Sequence, residues 1–144
     1  MFWGFIKENG EKLLVEVRGT LISVSYINVL ANNLLPDIYL GEIFQQDNAP
    51  CPNSQVTKTW MLENGIELLE NWPPQSPDIN IIENLWSYLK RKVSERCPRN
   101  VEELRRIVNE EFVKIPTGYI KKLYNSIPER LAQIYSNKGF YSKY

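Results

Sequence analysis

Two acidic residues, Asp47 and Glu83, stand at the edges of apolar segments in this 144-residue chain. Asp47 follows a short strand-like run, and Glu83 lies in the first turns of a predicted helix. The neighbouring polar groups are oxygens and amides, which suit a hard divalent cation such as Mg²⁺. The sequence therefore predicts that both acids are metal ligands.

The elements that must position Asp47 begin with a hairpin. Asn9-Gly10 is a strong turn signal between two strand-like runs. Apolar spacing then predicts a helix that ends before Pro36. A later helix is predicted to begin at Asn53 or Ser54, either of which can cap it. The predicted bounds are strands at 1–6, 13–17, 43–44 and 66–69, and helices at 23–35 and 54–63.

The helix that carries Glu83 has the clearest pattern. It is predicted to start near Ser76-Pro77 and to run to about Arg96. At 100° per residue, Glu83 falls beside the apolar stripe, with Lys90 on the same flank. The stripe consists of Ile79, Ile82, Trp86, Leu89 and Val93. Two further amphipathic helices are predicted at about 101–115 and 117–135, the second interrupted at Pro128.

Composition excludes several kinds of chemistry. The formal net charge is zero, which counts against autonomous DNA binding because phosphate recognition relies on positive charge. The chain has no histidine, so His-based nucleophilic catalysis is excluded. Cys51 and Cys97 lack the spacing of a zinc or iron–sulfur site. Without an apolar run of membrane-spanning length or a secretory signal, the sequence predicts an intracellular protein with no membrane partner.

Two sequence blocks resemble a known family. Residues 44–50 read Phe-Gln-Gln-Asp-Asn-Ala-Pro, and residues 72–86 read Trp-Pro-Pro-Gln-Ser-Pro-Asp-Ile-Asn-Ile-Ile-Glu-Asn-Leu-Trp. Both resemble the catalytic core of the Tc/mariner superfamily of DNA transposases. The likeness extends from Trp3-Gly4 to the last residues. It implies an α/β fold of the ribonuclease H-like type, a mixed sheet flanked by helices, without its first strand. One partial catalytic domain would occupy 1–144, with a core at about 1–115 and a C-terminal helix and tail.

The resemblance also implies a function. In that family three acids bind two metal ions that cleave DNA and transfer its strands. Asp47 matches the second acid and Glu83 the third, with Mg²⁺ as the cofactor and Mn²⁺ as a substitute. Asn48 would orient Asp47 or a metal-bound water. The expected partners are DNA, specifically transposon ends, and a second copy of the chain, and the expected location is the nucleus.

This chain departs from the family pattern in several places. The upstream strand with the first acid is absent, and none of the nearby glutamates (Glu8, Glu11 and Glu16) stands at its position. Pro52 replaces a usual histidine, and the DNA-reading N-terminal domains are missing. We therefore expect a catalytic-domain fragment that is inactive alone. The alternative is a decayed, non-catalytic remnant that at most binds DNA weakly or dimerises. Without the missing strand, residues 2–6 and 43–44 would either pair or leave open edges.

Simpler interpretations of the same residues remain open. Asp47 alone is also a common turn residue after a strand, and Glu83 alone also suits the N-terminus of a helix dipole. The basic run Lys90-Arg91-Lys92 is a candidate for contacts with DNA phosphates. A basic helix end is equally well explained by the negative end of that dipole.

Overall fold

The computed structural model describes residues 1–47, 49–69 and 78–136 of the chain. The first half of this part contains both strands and helices, and helices alone fill the second. None of these helices is both long enough and apolar enough to cross a membrane. The strands are β1 (Phe2–Ile6), β2 (Lys12–Glu16), β3 (Ile43–Phe44) and β4 (Glu67–Leu68); the helices are α1 (Ser23–Asn33), α2 (Gln55–Glu63), α3 (Ile81–Glu95), α4 (Val101–Lys114), α5 (Thr117–Asn125) and α6 (Ile127–Ser136).

The chain divides into two compact units. The first unit comprises Met1–Trp3 and Val15–Gln75, and the second comprises Gly4–Leu14 and Ser76–Tyr144. Each unit has buried apolar side chains of its own. Those of the first are Val17, Tyr26, Leu30, Leu34, Met61 and Ile66. Those of the second are Phe5, Ile81, Leu85, Leu89, Val93, Ile107, Val108, Phe112, Ile115, Ile120 and Leu123.

The first unit contains a strand–helix–strand crossover. β3 and β4 run parallel, with Ile43 opposite Glu67 and Phe44 opposite Leu68, and α2 connects them as parallel pairing requires. The backbone N–H of Thr57 donates to Oγ of Ser54 at 3.3 Å, so Ser54 caps α2. This is one of the two residues that the sequence predicted as its cap.

In the second unit the tip of the hairpin packs on helices α4 and α5. Gly10 has φ of +93° at the tip, a conformation that strongly favours glycine. Lys12 Nζ donates to the carbonyl oxygen of Val113 at 3.1 Å and also to that of Ile115, at the end of α4. The hydroxyl of Tyr124 on α5 donates to the carbonyl oxygen of Ile6 at 2.8 Å.

Strand pairing follows the second of the two predicted alternatives. Within the described residues, β1 pairs with β2 and β3 pairs with β4, as two separate two-stranded sheets. β1 and β3 therefore each keep one edge without a strand partner in the described part of the chain. Such edges expose backbone donors and acceptors.

The predicted start of α3 was wrong. The helix begins at Ile81 rather than near Ser76-Pro77, and residues 76–77 lie outside the described residues. Asn80 precedes the helix with an extended backbone, φ −73° and ψ 91°. The buried stripe is also rotated from the predicted one, because Ile82 and Trp86 are only half-buried. The stripe that is buried consists of Ile81, Leu85, Leu89 and Val93.

The break in the last predicted helix also lies elsewhere. α5 ends at Asn125 and α6 begins at Ile127, so the interruption is at Ser126 and not at Pro128. Pro128 occupies the first turn of α6, where its missing N–H has no intrahelical acceptor to lose. A proline near a helix break therefore indicates the start of the next helix here.

Candidate active site

Asp47 is exposed and lies three residues beyond the end of β3. Its Oδ1 accepts a hydrogen bond from the backbone N–H of Ala49 at 3.2 Å. This contact from an aspartate to the N–H two residues later is the Asx turn that ends many strands. The same residue thus fulfils the simple structural role and leaves a carboxylate accessible to an ion from solvent.

The residue before Asp47 is fixed by its side chain. The hydroxyl of Tyr26, on α1, donates to Oε1 of Gln46 at 2.7 Å. Nε2 of Gln46 donates to the carbonyl oxygen of Pro52 at 3.3 Å. Pro52 is the residue that replaces the histidine usual in the similar family, and here it supplies a backbone acceptor. Gln46 thereby links α1 to the chain before Asp47 and to Pro52 after it.

The part of this loop that follows Asp47 is also held by side-chain hydrogen bonds. Oγ1 of Thr57, which is fully buried, donates to the carbonyl oxygen of Cys51 at 2.9 Å. Sγ of Cys51 donates to the carbonyl oxygen of Leu21 at 2.8 Å. Asp47 consequently projects from a loop whose two ends are held by side-chain hydrogen bonds.

Tyr26 is only 3% exposed, and this burial raises the pKa of its hydroxyl. The nearby negative charge of Asp47 acts in the same direction. A phenol in this environment stays protonated at neutral pH and so remains a donor to Gln46.

Glu83 is exposed in the first turn of α3, and its backbone N–H donates to the carbonyl oxygen of Asn80 at 3.1 Å. The positive end of the helix dipole favours a carboxylate at this position. The next residue, Asn84, is held from α6, because Nη1 of Arg130 donates to its Oδ1 at 2.9 Å. As in the Asp47 loop, an accessible carboxylate stands beside an amide side chain that is fixed by a buried donor.

The three basic residues of α3 have different surroundings. Lys90 is exposed and lies seven positions after Glu83, about 20° around the helix and about 10 Å along it. The guanidinium carbon of Arg91 lies 5.5 Å from the centroid of the Tyr88 ring. Lys92 donates to Glu95 at 2.7 Å, and this hydrogen bond raises its pKa. Of the three, Lys90 lies on the side of the helix that carries Glu83.

Several site predictions stay predictions. Asp47 belongs to the first unit and Glu83 to the second, and each unit is described by itself. In residues 1–47, 49–69 and 78–136, no group of three Asp, Glu, His or Cys side chains is arranged to hold a metal ion. Asn48 lies outside the described residues, as does the part of the second sequence block that precedes Asp78.

Sequence reasoning missed the residues that hold the neighbours of the two carboxylates. Tyr26 lies within the helix predicted at 23–35 and Gln46 within the first family block, and neither was given a role in the site. Arg130 had a detectable signal, since it lies three residues after Ile127 and four before Ile134, on the apolar side of a predicted helix. A charged residue in such a position indicates a buried polar contact.

Comparison with known sequences gives consistent matches. The family model described as DDE superfamily endonuclease matches residues 2–105. The Tcb1 transposable-element transposase of Caenorhabditis briggsae is 30% identical over 148 residues, covering 100% of this chain and 54% of that protein. The Tc1 transposase of Caenorhabditis elegans is 29% identical over 148 residues with the same coverage of both chains. The chain thus spans about half the length of these curated relatives.

Solved structures match over almost the whole chain. The Mos1 mariner paired end complex with Mn has a TM-score of 0.84 at 19% identity, covering 99% of this chain and 44% of that one. The Mos1 transposase catalytic domain with Raltegravir and Mg has a TM-score of 0.83 at 19% identity, covering 99% and 76%. These matches confirm the predicted α/β fold of the ribonuclease H-like type.

Proposed function

The chain belongs to the DDE superfamily endonuclease family, and from this premise we propose that Asp47 and Glu83 are metal ligands for DNA cleavage and strand transfer. The membership and the transposase relatives confirm the predicted resemblance to a Tc/mariner catalytic domain. The activity itself is proposed for this chain, because the relatives are about twice as long.

One observation carries the proposal. Asp47 and Glu83 are both exposed. Asp47 follows Gln46 and Glu83 precedes Asn84, and a buried donor holds the side chain of each of these amide residues. Exposure gives an ion and a phosphate group access to the carboxylates. Fixed neighbours reduce the conformational freedom that the carboxylates would lose on binding. An acid that only forms a turn, or that only compensates a helix dipole, needs access to solvent. It does not need a neighbouring side chain that is held in place.

The donor chemistry of these two residues fits a hard divalent cation. Carboxylate oxygens are the ligands that Mg²⁺ and Mn²⁺ take in proteins, and each acid offsets one positive charge. Bound metal would supply Lewis-acid activation for displacement at phosphorus. We also propose that Asn48 orients Asp47, and that Lys90, Arg91 and Lys92 contact the DNA backbone. Among the three, Lys90 is favoured because it extends the exposed side of α3 that begins with Glu83.

The second candidate function is a non-catalytic remnant that binds DNA weakly or dimerises. A specific observation favours it for the 144-residue chain, namely that two of its residues, Asp47 and Glu83, match acids of the family blocks where the family has three. Two carboxylates neutralise less of the positive charge of two metal ions than three carboxylates do, and Mg²⁺ gives up its bound water reluctantly. We propose that this chain binds metal weakly and does not act alone. DNA ends, a second copy of the chain and the nucleus are its proposed partners and location.

Metal titration tests the ligand assignment. Mn²⁺ is added to wild-type chain labelled with ¹⁵N, and the paramagnetic broadening of amide signals is followed. Broadening should centre on residues near Asp47 and Glu83. The apparent affinity for Mn²⁺ should fall at least about tenfold in Asp47→Asn and in Glu83→Gln. Glu102→Gln is the matched control, because it removes an exposed first-turn carboxylate from α4 instead of α3. Equal binding by wild type and Glu83→Gln would refute the assignment.

An oligonucleotide-joining assay separates the two candidate functions. We expect no metal-dependent strand transfer by the 144-residue chain with pre-cleaved DNA ends. Joining that requires both Mg²⁺ and Glu83 would instead show an active enzyme. In that case a glutamate of the hairpin, such as Glu8 or Glu11, would be the first residue to test as a replacement for the missing acid.

A further inference from the structure

Arg130 is the largest of the almost fully buried side chains, with 2% of its surface exposed. It lies on α6, and its contacts include three hydrogen bonds to neutral oxygens. Nε donates to Oγ of Ser126 at 2.8 Å. Nη1 donates to the carbonyl oxygen of Asp78 at 2.7 Å and to Oδ1 of Asn84 at 2.9 Å. Because arginine is always charged, burying it is costly unless such contacts compensate it.

Two of these acceptors bracket the first turn of α3. Asp78 lies three residues before the helix begins, and Asn84 is the fourth residue of the helix. Glu83 lies between them in the chain, next to Asn84. A single nitrogen, Nη1, therefore ties the chain entering the helix to the end of its first turn.

This turn lacks the usual local support. Ser54 and Asn100 cap α2 and α4 through side-chain hydrogen bonds. Asn80 stands at the corresponding position of α3 and makes no such bond. Its Oδ1 is buried and has no hydrogen-bond partner among the described residues. An uncapped helix start frays more easily. Arg130 donates and so cannot accept from the free N–H groups of this turn, but its contacts hold the chain before the turn and at its end.

The opposite end of α3 provides a contrast. Arg96 also connects α3 to another helix, through ion pairs with Glu110 at 2.6 Å and Glu111 at 2.9 Å. Its side chain is 31% exposed, and its partners are carboxylates on α4. Arg96 joins two helices at a surface, whereas Arg130 fixes the particular turn that presents Glu83.

We propose that Arg130 is a positioning residue that fixes the first turn of α3 and thereby aims the Glu83 carboxylate at its metal ion. The proposal deepens the metal-ligand assignment and rests on it. It makes α6 part of the working site, although α6 supplies no ligand. Without the contacts to Asp78 and Asn84, the helix would still pack through its buried stripe, but its first turn would sample several conformations.

The test compares Arg130→Met with Arg96→Met in the full 144-residue chain. Each change removes a guanidinium that links α3 to another helix, and each keeps a long side chain. We expect Arg130→Met to weaken Mn²⁺ binding near Glu83 about tenfold. Arg96→Met should leave that binding within about twofold, even where both variants lose thermal stability. Arg130→Lys should recover only part of the affinity, because a lysine lacks the planar fork.

A double-mutant comparison makes the mechanism specific. Asn84→Ala removes one acceptor of Arg130, so its effect on Mn²⁺ affinity should not add to that of Arg130→Met. Fully additive losses would overturn the proposed route through Asn84. Equal losses of affinity in Arg130→Met and Arg96→Met would show a general structural role and would also overturn the proposal.

Hydrogen exchange separates this proposal from the metal assignment on which it rests. Amide protection of residues 82–85 should fall in Arg130→Met and stay near the wild-type level in Arg96→Met, without any metal present. If Glu83→Gln binds Mn²⁺ like wild type, the metal assignment fails. In that event selective loss of protection would still support the fixed turn, and unchanged protection would overturn it. Should Arg130→Met fail to fold, Arg130→Lys and Asn84→Ala carry the same comparison.

Discussion

The hydroxyl of Tyr26 donates a 2.7 Å hydrogen bond to Oε1 of Gln46, the residue immediately before Asp47. This contact joins a buried side chain of α1 to the loop that presents the first candidate ligand. It restrains the residue next to Asp47 through a side chain 21 positions before Asp47 in the chain. The site is thus supported by packing that no short sequence block contains.

Tyr26→Phe should lower the free energy of unfolding by about 1 kcal/mol, because Oε1 of Gln46 loses its buried donor. Urea denaturation at pH 7 measures this loss. Tyr135→Phe is the control, since Tyr135 is 88% exposed and its hydroxyl should matter little. Equal effects of the two substitutions would contradict the role assigned to the Tyr26 hydroxyl.

The stability that Tyr26 contributes should depend on alkaline pH. Burial raises the pKa of Tyr26 above its usual value of 10.0, so above that pH the unfolded chain ionises while the folded chain keeps the proton. The contribution is therefore complete below about pH 10 and is lost as pH rises further. The difference in unfolding free energy between wild type and Tyr26→Phe should shrink between pH 9 and about pH 11. A difference that grows with pH would contradict this.

Gly10→Ala should destabilise the chain more than Gly19→Ala. Both glycines have positive φ, +93° and +77°, so both substitutions carry similar backbone strain. Only at Gly10 would the new Cβ overlap another group, lying 2.1 Å from Cγ2 of Thr117. We expect an additional loss of about 1–3 kcal/mol in urea denaturation. Thr117→Ser removes that methyl group and should recover part of the loss.

Asn100→Ala should lower the free energy of unfolding by about 1 kcal/mol, because the N–H of Glu103 loses its cap acceptor, which now lies at 2.8 Å. Asn100→Asp keeps an acceptor and should have little effect. Asn80→Ala offers a comparison at the start of α3, where no cap bond exists to be lost. A larger loss at Asn80 than at Asn100 in thermal unfolding would contradict this account.

Local signals predicted much of the fold. The Asn9-Gly10 turn, the short strand at Ile43–Phe44 and the cap predicted at Asn53 or Ser54 each depend on residues close in sequence. The turn and the strand were correct, and Ser54 is the cap. The start of α3 was predicted wrongly because a proline signal suggested an earlier start. The actual start coincides with contacts from Arg130, which lies 52 residues beyond Asp78. Contacts between residues so far apart in the sequence do not change the local helix propensity from which the start was predicted.

For the candidate site, the sequence predicted two ligands but not the residues that hold the neighbours of these ligands. Asp47 and Glu83 were named because their family blocks are long and distinctive, and their role as ligands stays a prediction. The residues that hold their neighbours, Tyr26 and Arg130, are ordinary in type and distant in sequence. Only the folded chain brings these donors to Gln46 and Asn84.

A longer polypeptide that adds the upstream strand should be more stable than this chain. β1 and β3 each have one edge without a strand partner among the described residues, and such edges also promote association. We expect low solubility or oligomers from the 144-residue chain. The added strand should raise the free energy of unfolding by several kcal/mol. A scrambled segment of equal length is the control, and an equal gain from it would refute the argument.

The contacts of the hairpin tip have a consequence for synthesis on the ribosome. Lys12 meets the carbonyl of Ile115, 103 residues later, and Ile6 meets Tyr124, 118 residues later. At about 5–20 residues per second, the hairpin waits roughly 5–20 seconds for these partners to emerge. The hairpin is therefore made about a hundred residues before the helices on which it docks. During that interval its apolar strands are available to chaperones, or to other copies of the same nascent chain.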